Sequence, residues 1–208
     1  MRSEMTDVRI EDRAAPALCG EVDLERIEDA IREVLLAVGE DPSREGLRDT
    51  PARVARAYQE AFVGMRQDPA ELFGSTFEAG HEEMVLVRGI SFYSMCEHHL
   101  VPFFGVAHIG YLPAVGGNVA GLGALARLVD VFSKRPQVQE QLTTQVVNSL
   151  MEHLRPRGAI VVLEAEHLCM SMRGVAKPGA KTITSAVRGQ LREAATRAEA
   201  MSLISSWR

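Results

Sequence analysis

Two short segments, Cys96-Glu97-His98-His99 and Glu164-Ala165-Glu166-His167-Leu168-Cys169, bring together two thiols and three imidazoles. Zinc takes thiolate sulfur and imidazole nitrogen readily, and a catalytic zinc keeps three protein ligands and one open position. Cys96 and His99 are separated by two residues, so a tight turn directs both at one ion. His167 and Cys169 alternate on what reads as a strand end, which places them on one face. Cys96, His99 and Cys169 then form a three-ligand set, and water at the fourth position is acidified towards neutrality and becomes a nucleophile. His98 points away from its neighbour His99 and serves as a proton donor, with His167 as a second acid or base. Two blander readings stand beside this one. Either His167 closes a purely structural zinc site as fourth ligand, or the cysteines are a buried pair without a metal.

The rest of the chain narrows the setting. Its 208 residues suffice for one good core, or one domain with an extension. A net charge of −5 argues against a nucleic-acid partner. No run approaches the roughly 18–20 apolar residues of a membrane span, so no membrane association is expected. Residues 1–20 lack an apolar signal core and read as a disordered tail on a cytoplasmic protein. Three cysteines cannot complete a disulfide set, and Cys19, in the tail, reads as a free thiol without a role. In a reducing compartment the neighbourhoods of Cys96 and Cys169 favour a metal over a bridge.

The elements that must position these groups can be read from periodicity. Val22, Ile27, Ile31, Val34, Leu35 and Val38 recur at helical spacing, and Gly39 stops that helix. Thr50-Pro51 reads as an N-cap and first helical proline, opening a second helix to about Phe62. Met84–Arg88 and Phe103–Tyr111 read as strands, Leu122–Phe132 and Val138–Leu154 as helices parted by Pro136, and Ala159–Leu163 and Thr182–Val187 as strands. Strand, strand, helix, helix, strand, strand implies an antiparallel α+β domain with helices on one face.

His108 alternates with apolar residues and reads as a satisfied, partly buried histidine, whereas His81 and His153 read as solvated. Gly121-Leu-Gly123-Ala-Leu-Ala126 matches the dinucleotide fingerprint, but that fingerprint needs a parallel strand directly before it. The preceding Pro113-Ala-Val-Gly-Gly-Asn118 reads as a hairpin-like turn, so nucleotide-dehydrogenase chemistry is set aside.

Four stretches carry a resemblance to a known family: Glu45–Ala55, Ser94–Phe103, Arg135–Thr143 and Glu164–Val175. With these in order, the chain from about Val22 onwards resembles the GTP cyclohydrolase I family, type IA. The resemblance implies the tunnelling fold, a four-stranded antiparallel sheet backed by two long helices, with a helical N-terminal extension. The domains are then a tail at 1–20, the extension at 21–80 and the catalytic domain at 81–208. It also implies a homo-oligomer, a decamer of two stacked pentamers, with active sites between subunits.

The same resemblance implies site roles. Cys96, His99 and Cys169 match the family's zinc ligands. Water activated there attacks C8 of guanine while His98 protonates the imidazole ring, and His167 does acid–base work around the ribose. Formate leaves, and ribose opening, Amadori rearrangement and ring closure yield 7,8-dihydroneopterin triphosphate for a folate, pterin or deazapurine route. Gln139 and Glu140 match the guanine-recognition pair; one carboxylate can accept from both N1–H and the 2-amino group. Arg127 and Arg173 match phosphate-facing positions.

One departure stands out. Where the family reads Gly-Leu-Ser-Lys, this chain has Gly121-Leu122-Gly123-Ala124, so two side-chain contacts to the triphosphate are missing. A hydrogen bond to a charged group is worth roughly 1.5–3 kcal/mol, a loss that Lys134, Lys177 or Lys181 would have to offset. The first expectation is therefore a zinc-dependent GTP cyclohydrolase I. Its alternatives are a diverged paralogue taking a differently phosphorylated guanine nucleotide or releasing a ring-opened intermediate, and a non-catalytic zinc-containing assembly module.

Overall fold

A computed structural model describes residues 20–74, 76–116 and 118–206. The tail read at 1–20 and Cys19 therefore lie, apart from Gly20, outside the described residues. In chain order the elements begin with α1 (Leu24–Ala37), α2 (Thr50–Ala61), β1 (Thr76–Glu78), β2 (Val85–Cys96) and β3 (Pro102–Leu112). They continue with β4 (Asn118–Ala120), α3 (Leu122–Ser133), β5 (Pro136–Gln137), α4 (Gln139–His153) and β6 (Gly158–His167). The last are α5 (Leu168–Ser171), β7 (Lys181–Gly189) and α6 (Ala194–Ser205).

The main sheet has the order β5-β2-β3-β6-β7. Its four long strands are antiparallel throughout, as expected, and α3 and α4 pack on one face. The fifth strand is an addition: Pro136 and Gln137 pair in parallel with Met95 and Cys96. Because Pro136 cannot continue a helix, the chain between α3 and α4 passes along the sheet edge instead, beside the first thiol.

The core lies between the sheet and the two helices. Phe92, Phe103, Ile109 and Tyr111 meet Leu125, Leu128, Leu142, Val146 and Leu150 there. Burying each of the larger side chains stabilises the fold by roughly 1.5–3 kcal/mol. The opposite face is covered at one end only, where Ile160, Val162 and Leu112 pack against Leu191, Ala200 and Ile204. β6 is thus buried on both faces over Gly158–Leu163, which explains its unbroken apolar run. Residues 194–205, which carried no reading in the sequence, form the helix that supplies this second cover. Its apolar residues have almost no helical asymmetry, so periodicity could not find it.

Several boundaries move. β2 extends to Cys96 rather than ending at Arg88. At Gly89 its register shifts, with φ +69° and the N–H turned to donate to His108 Nδ1 at 3.3 Å. A positive φ is cheap only for glycine, and such a bulge lets one strand bend without ending. Asp49, not Thr50, caps α2, and Thr50 is its first helical residue. α1 has its apolar stripe but no fully buried residue, because it packs mainly on α2. His153 is half-buried and stacks on Phe73 at 5.9 Å, so it is not simply solvated. The glycine-rich segment follows a strand after all, but β4 is three residues long and antiparallel to β1, as no dinucleotide fold requires.

Candidate active site

The first cluster sits where β2 turns into β3. Cys96 ends β2, and its carbonyl accepts from the N–H groups of His99 at 3.3 Å and Leu100 at 2.8 Å. Leu100 closes the turn with φ +49°. On the other side, Glu97 N–H donates to the carbonyl of Gln137 at 3.0 Å, which ties this turn to the start of α4. The second cluster arrives across the sheet: β6 ends at His167, paired in register with Phe103 of β3. Cys169 is not on that strand. It lies in the single helical turn α5, so it reaches the first cluster by a change of chain direction rather than by strand alternation.

The ligand atoms of Cys96, His99 and Cys169 lie within 4.8 Å of one another. Cys96 Sγ and His99 Nδ1 are 3.9 Å apart. Tetrahedral zinc with ordinary Zn–S and Zn–N bonds separates its donors by about 3.6–3.8 Å, so this donor set fits that ion with small adjustments. The Cys169 thiol is pushed up, first by burial and then by the neighbouring Cys96. Two thiolates side by side oppose each other, and a cation between them removes that opposition. Arg173 Nη1 lies 3.3 Å from His99 Nε2 on the outer side of the ring.

His98 and His99 are perpendicular, 88° between rings whose centres are 6.4 Å apart, so adjacent residues face different directions. His98 is 65% exposed, with its Nε2 3.8 Å from Glu97 Oε1. His167 is half-buried, and burial holds its pKa below the usual imidazole range while the charge of Glu140 pulls it back up. A cavity of about 190 Å³ joins these groups: Cys96, His98, Glu140, His167 and Cys169 all line it. Gln137 and Thr182 line it too; neither was a candidate in the sequence, where Gln137 falls in the break between two helices and Thr182 opens a strand. A larger groove of about 340 Å³ between α2 and β2 is mainly apolar and holds no comparable set of reactive groups.

Other sequence candidates lie apart within one chain. Arg127 and Lys134 line a separate depression with Asp68, Glu71 and Asp130. Lys181 bonds Glu164 at 2.5 Å, and strand alternation puts it on the opposite face from Thr182 and the cavity. Lys177 is exposed in the loop before β7. Gly123 is exposed near the start of α3, where an added Cβ would meet no atom within 4 Å, and Ala124 beside it is buried.

A family model described as GTP cyclohydrolase I matches residues 27–205, from α1 to the end of α6. The chain belongs to the GTP cyclohydrolase I family. Proteins named GTP cyclohydrolase 1 are similar over most of their length. That of Streptomyces coelicolor is 67% identical over 89% of this chain and 92% of its own. That of Thermobifida fusca is 61% identical over 95% and 96%. Among solved structures, the archaeosine synthase QueF-Like in its apo form aligns with 51% of this chain and 93% of its own. Its identity of 16% and TM-score of 0.43 are too low to bear on function. The GTP cyclohydrolase I match spans both clusters and every element that positions them, so it concerns the site as well as the scaffold.

Proposed function

We propose that this chain is a metal-dependent GTP cyclohydrolase I. It opens the imidazole ring of GTP by hydrolysis at C8, releases formate and rearranges the remainder to 7,8-dihydroneopterin triphosphate. The observation that carries this reading is the Cys96–His99–Cys169 donor set, whose two thiols line one cavity with His98, His167 and Glu140. The 67% identity to a protein named GTP cyclohydrolase 1 supports the substrate.

Cys96, His99 and Cys169 would hold zinc, which would supply the Lewis acidity for hydrolysis near neutral pH. Glu140, exposed in the first turn of α4, accepts from N1–H and the 2-amino group of guanine and fixes the base. His98, largely open to solvent, delivers a proton to the ring nitrogen as it becomes a leaving group. His167, with its neutral form favoured by burial, exchanges protons with the ribose in later steps. Arg173 offers only donors. Once His99 ligates through Nδ1 and carries its proton on Nε2, Arg173 has no acceptor there and turns to phosphate.

Two thiols and an imidazole within reach of one ion support zinc as the metal. The cavity of about 190 Å³ is smaller than the about 300–1,000 Å³ of drug-sized ligand pockets. It suits a base more than a whole nucleotide. Neighbouring chains complete it in a homo-oligomer, a decamer of two pentamers, which also brings Arg127 to the phosphates. The free edge of β7 and its exposed Ile183 suit sheet-to-sheet assembly. Among the described residues no helix is long and apolar enough to cross a membrane. Unpaired Cys96 and Cys169 suit a reducing cytoplasm and a place in folate and pterin supply.

The second reading, a paralogue for a differently phosphorylated guanine nucleotide, rests on the bare surface at Gly123. Metal-replete protein is assayed with GTP, GDP, GMP and guanosine, reading formate and pterin fluorescence. Full turnover to a fluorescent pterin with GTP preferred supports the first reading. Preference for a shorter phosphate chain, or arrest at a ring-opened product, supports the second.

A further inference from the structure

Family resemblance pairs Gln139 with Glu140 as groups that read guanine, and both line the cavity, yet the two differ in burial and in hydrogen-bond partners. Glu140 is exposed, whereas Gln139 is 1% exposed. The Gln139 amide nitrogen faces three acceptors: the carbonyls of Leu163 at 3.3 Å and Thr182 at 3.0 Å, and Thr184 Oγ1 at 3.1 Å. Two of these are carbonyl oxygens, which cannot donate, so the nitrogen and not the oxygen must point that way. Both amide hydrogens are thereby used inside the chain. Thr143 reinforces the arrangement, donating to the Gln139 backbone carbonyl at 2.7 Å and lying 2.6 Å from Thr184 Oγ1.

This orientation aims Gln139 Oε1 at His167 Nε2, 2.7 Å away. A side-chain amide oxygen only accepts, so Nε2 must carry the hydrogen. A neutral ring with its proton on Nε2 keeps its free lone pair on Nδ1. The geometry points to Gln139 as a positioning residue that locks His167 in the Nε2–H tautomer, and not as a guanine-binding group. Phe103 fixes the plane of the His167 ring from one face, and Gln139 fixes its rotation within that plane and its proton. The tautomer claim stands on these contacts alone; its kinetic consequence rests on the ring-opening activity proposed above.

Gln139→Met tests both, since it keeps volume while removing the amide. Magic-angle-spinning 15N spectra of histidine-labelled, metal-loaded protein at pH 8, with His167→Gln for assignment, read the tautomer without any turnover. The wild type is expected to show one Nε2–H form for His167, and Gln139→Met a mixture with Nδ1–H. In steady state, kcat for GTP is expected to fall about 10- to 100-fold, as for other groups that orient a functional histidine. Affinity for 7-deaza-GTP, which keeps the guanine recognition edge but has no imidazole to open, is expected to stay within two-fold. Gln139→Leu, which also removes the amide at similar volume, covers the case in which Gln139→Met does not fold. It is expected to populate the Nδ1–H form and lower kcat to a similar extent. An unchanged His167 spectrum in the folded variants overturns the inference, as does a ten-fold loss of 7-deaza-GTP affinity with kcat preserved. A wild type that does not open GTP, yet shows the Nε2–H form, sinks the activity and leaves the tautomer assignment standing.

Discussion

Phe103 and His167 are register partners across β3 and β6, and their rings lie 4.5 Å apart and within 3° of parallel. One ring is fully buried in the core and the other faces the candidate site, so the packing of the sheet is transmitted directly to a proton-transfer group. Phe103→Leu keeps the apolar contact but removes the flat surface. We expect a stability loss of about 1–2 kcal/mol, in the range of an aromatic pair plus a small packing defect, and a several-fold fall in kcat. Denaturant midpoints and steady-state kinetics check this. An unchanged kcat would mean that the stack does not orient the imidazole.

Cys169 reaches the donor set from α5, outside the strand that leads to it. Cys169→Ser is expected to lower bound metal well below one ion per chain by elemental analysis, and to lower GTP turnover by at least about 100-fold. Chelation of the wild type and re-addition of zinc should remove and restore activity. Full zinc occupancy in Cys169→Ser would exclude this thiol as a ligand.

The His98 side chain is largely open to solvent, at 65% exposure. His98→Ala should therefore leave the melting temperature and zinc content unchanged while slowing ring opening by about 100- to 10,000-fold, the usual worth of a positioned proton donor. Ring opening at wild-type rate with zinc still bound would remove His98 from the mechanism.

Gly123 offers open space on the face of α3 that also carries Arg127, whose Nε donates to the Gly123 carbonyl at 3.3 Å. Gly123→Ser should restore a hydroxyl for phosphate and lower KM for GTP about ten-fold, the lower end for a hydrogen bond to a charged group. KM for guanosine should not move. Equal effects on both substrates would show that the phosphate chain binds elsewhere.

His108 is buried on β3 and accepts from the Gly89 N–H at the bulge. Burial lowers its pKa, with Arg88 adding to the effect and Glu164 opposing it. The unfolded ring therefore binds a proton at a higher pH than the folded one. This contribution to stability is complete above the unfolded value near 6.5 and drains away as pH falls from there through the folded value. Urea unfolding at pH 7.5 and 5.5 should show a larger acid-induced loss for wild type than for His108→Gln, which can still accept from Gly89. Equal losses would contradict a depressed His108.

How much was legible beforehand differs between chemistry and position. Cys96, His98, His99, His167 and Cys169 declared themselves because thiols and imidazoles at short spacing are rare outside metal sites, and the GTP cyclohydrolase I motifs surround them. The four long strands and two backing helices were legible because period two and period 3.6 are local properties. α6 was not, since its residues lack a helical stripe and its burial depends on a sheet face formed far away in sequence.

The sequence by itself thus determined the candidate thiol and imidazole donors, the family and the types of the principal elements. Only the tertiary structure decided which groups meet. It moved Cys169 off the strand, separated Arg127 from the metal donors within one chain, turned Lys181 to the far face and enclosed Gln139 against His167. The physical reason is range. Side-chain type and periodicity are set residue by residue, whereas register, burial and hydrogen-bond partners arise from strands brought together across long sequence separations. Gln139 and Glu140 are neighbours in the sequence, and the first turn of α4 buries one and exposes the other.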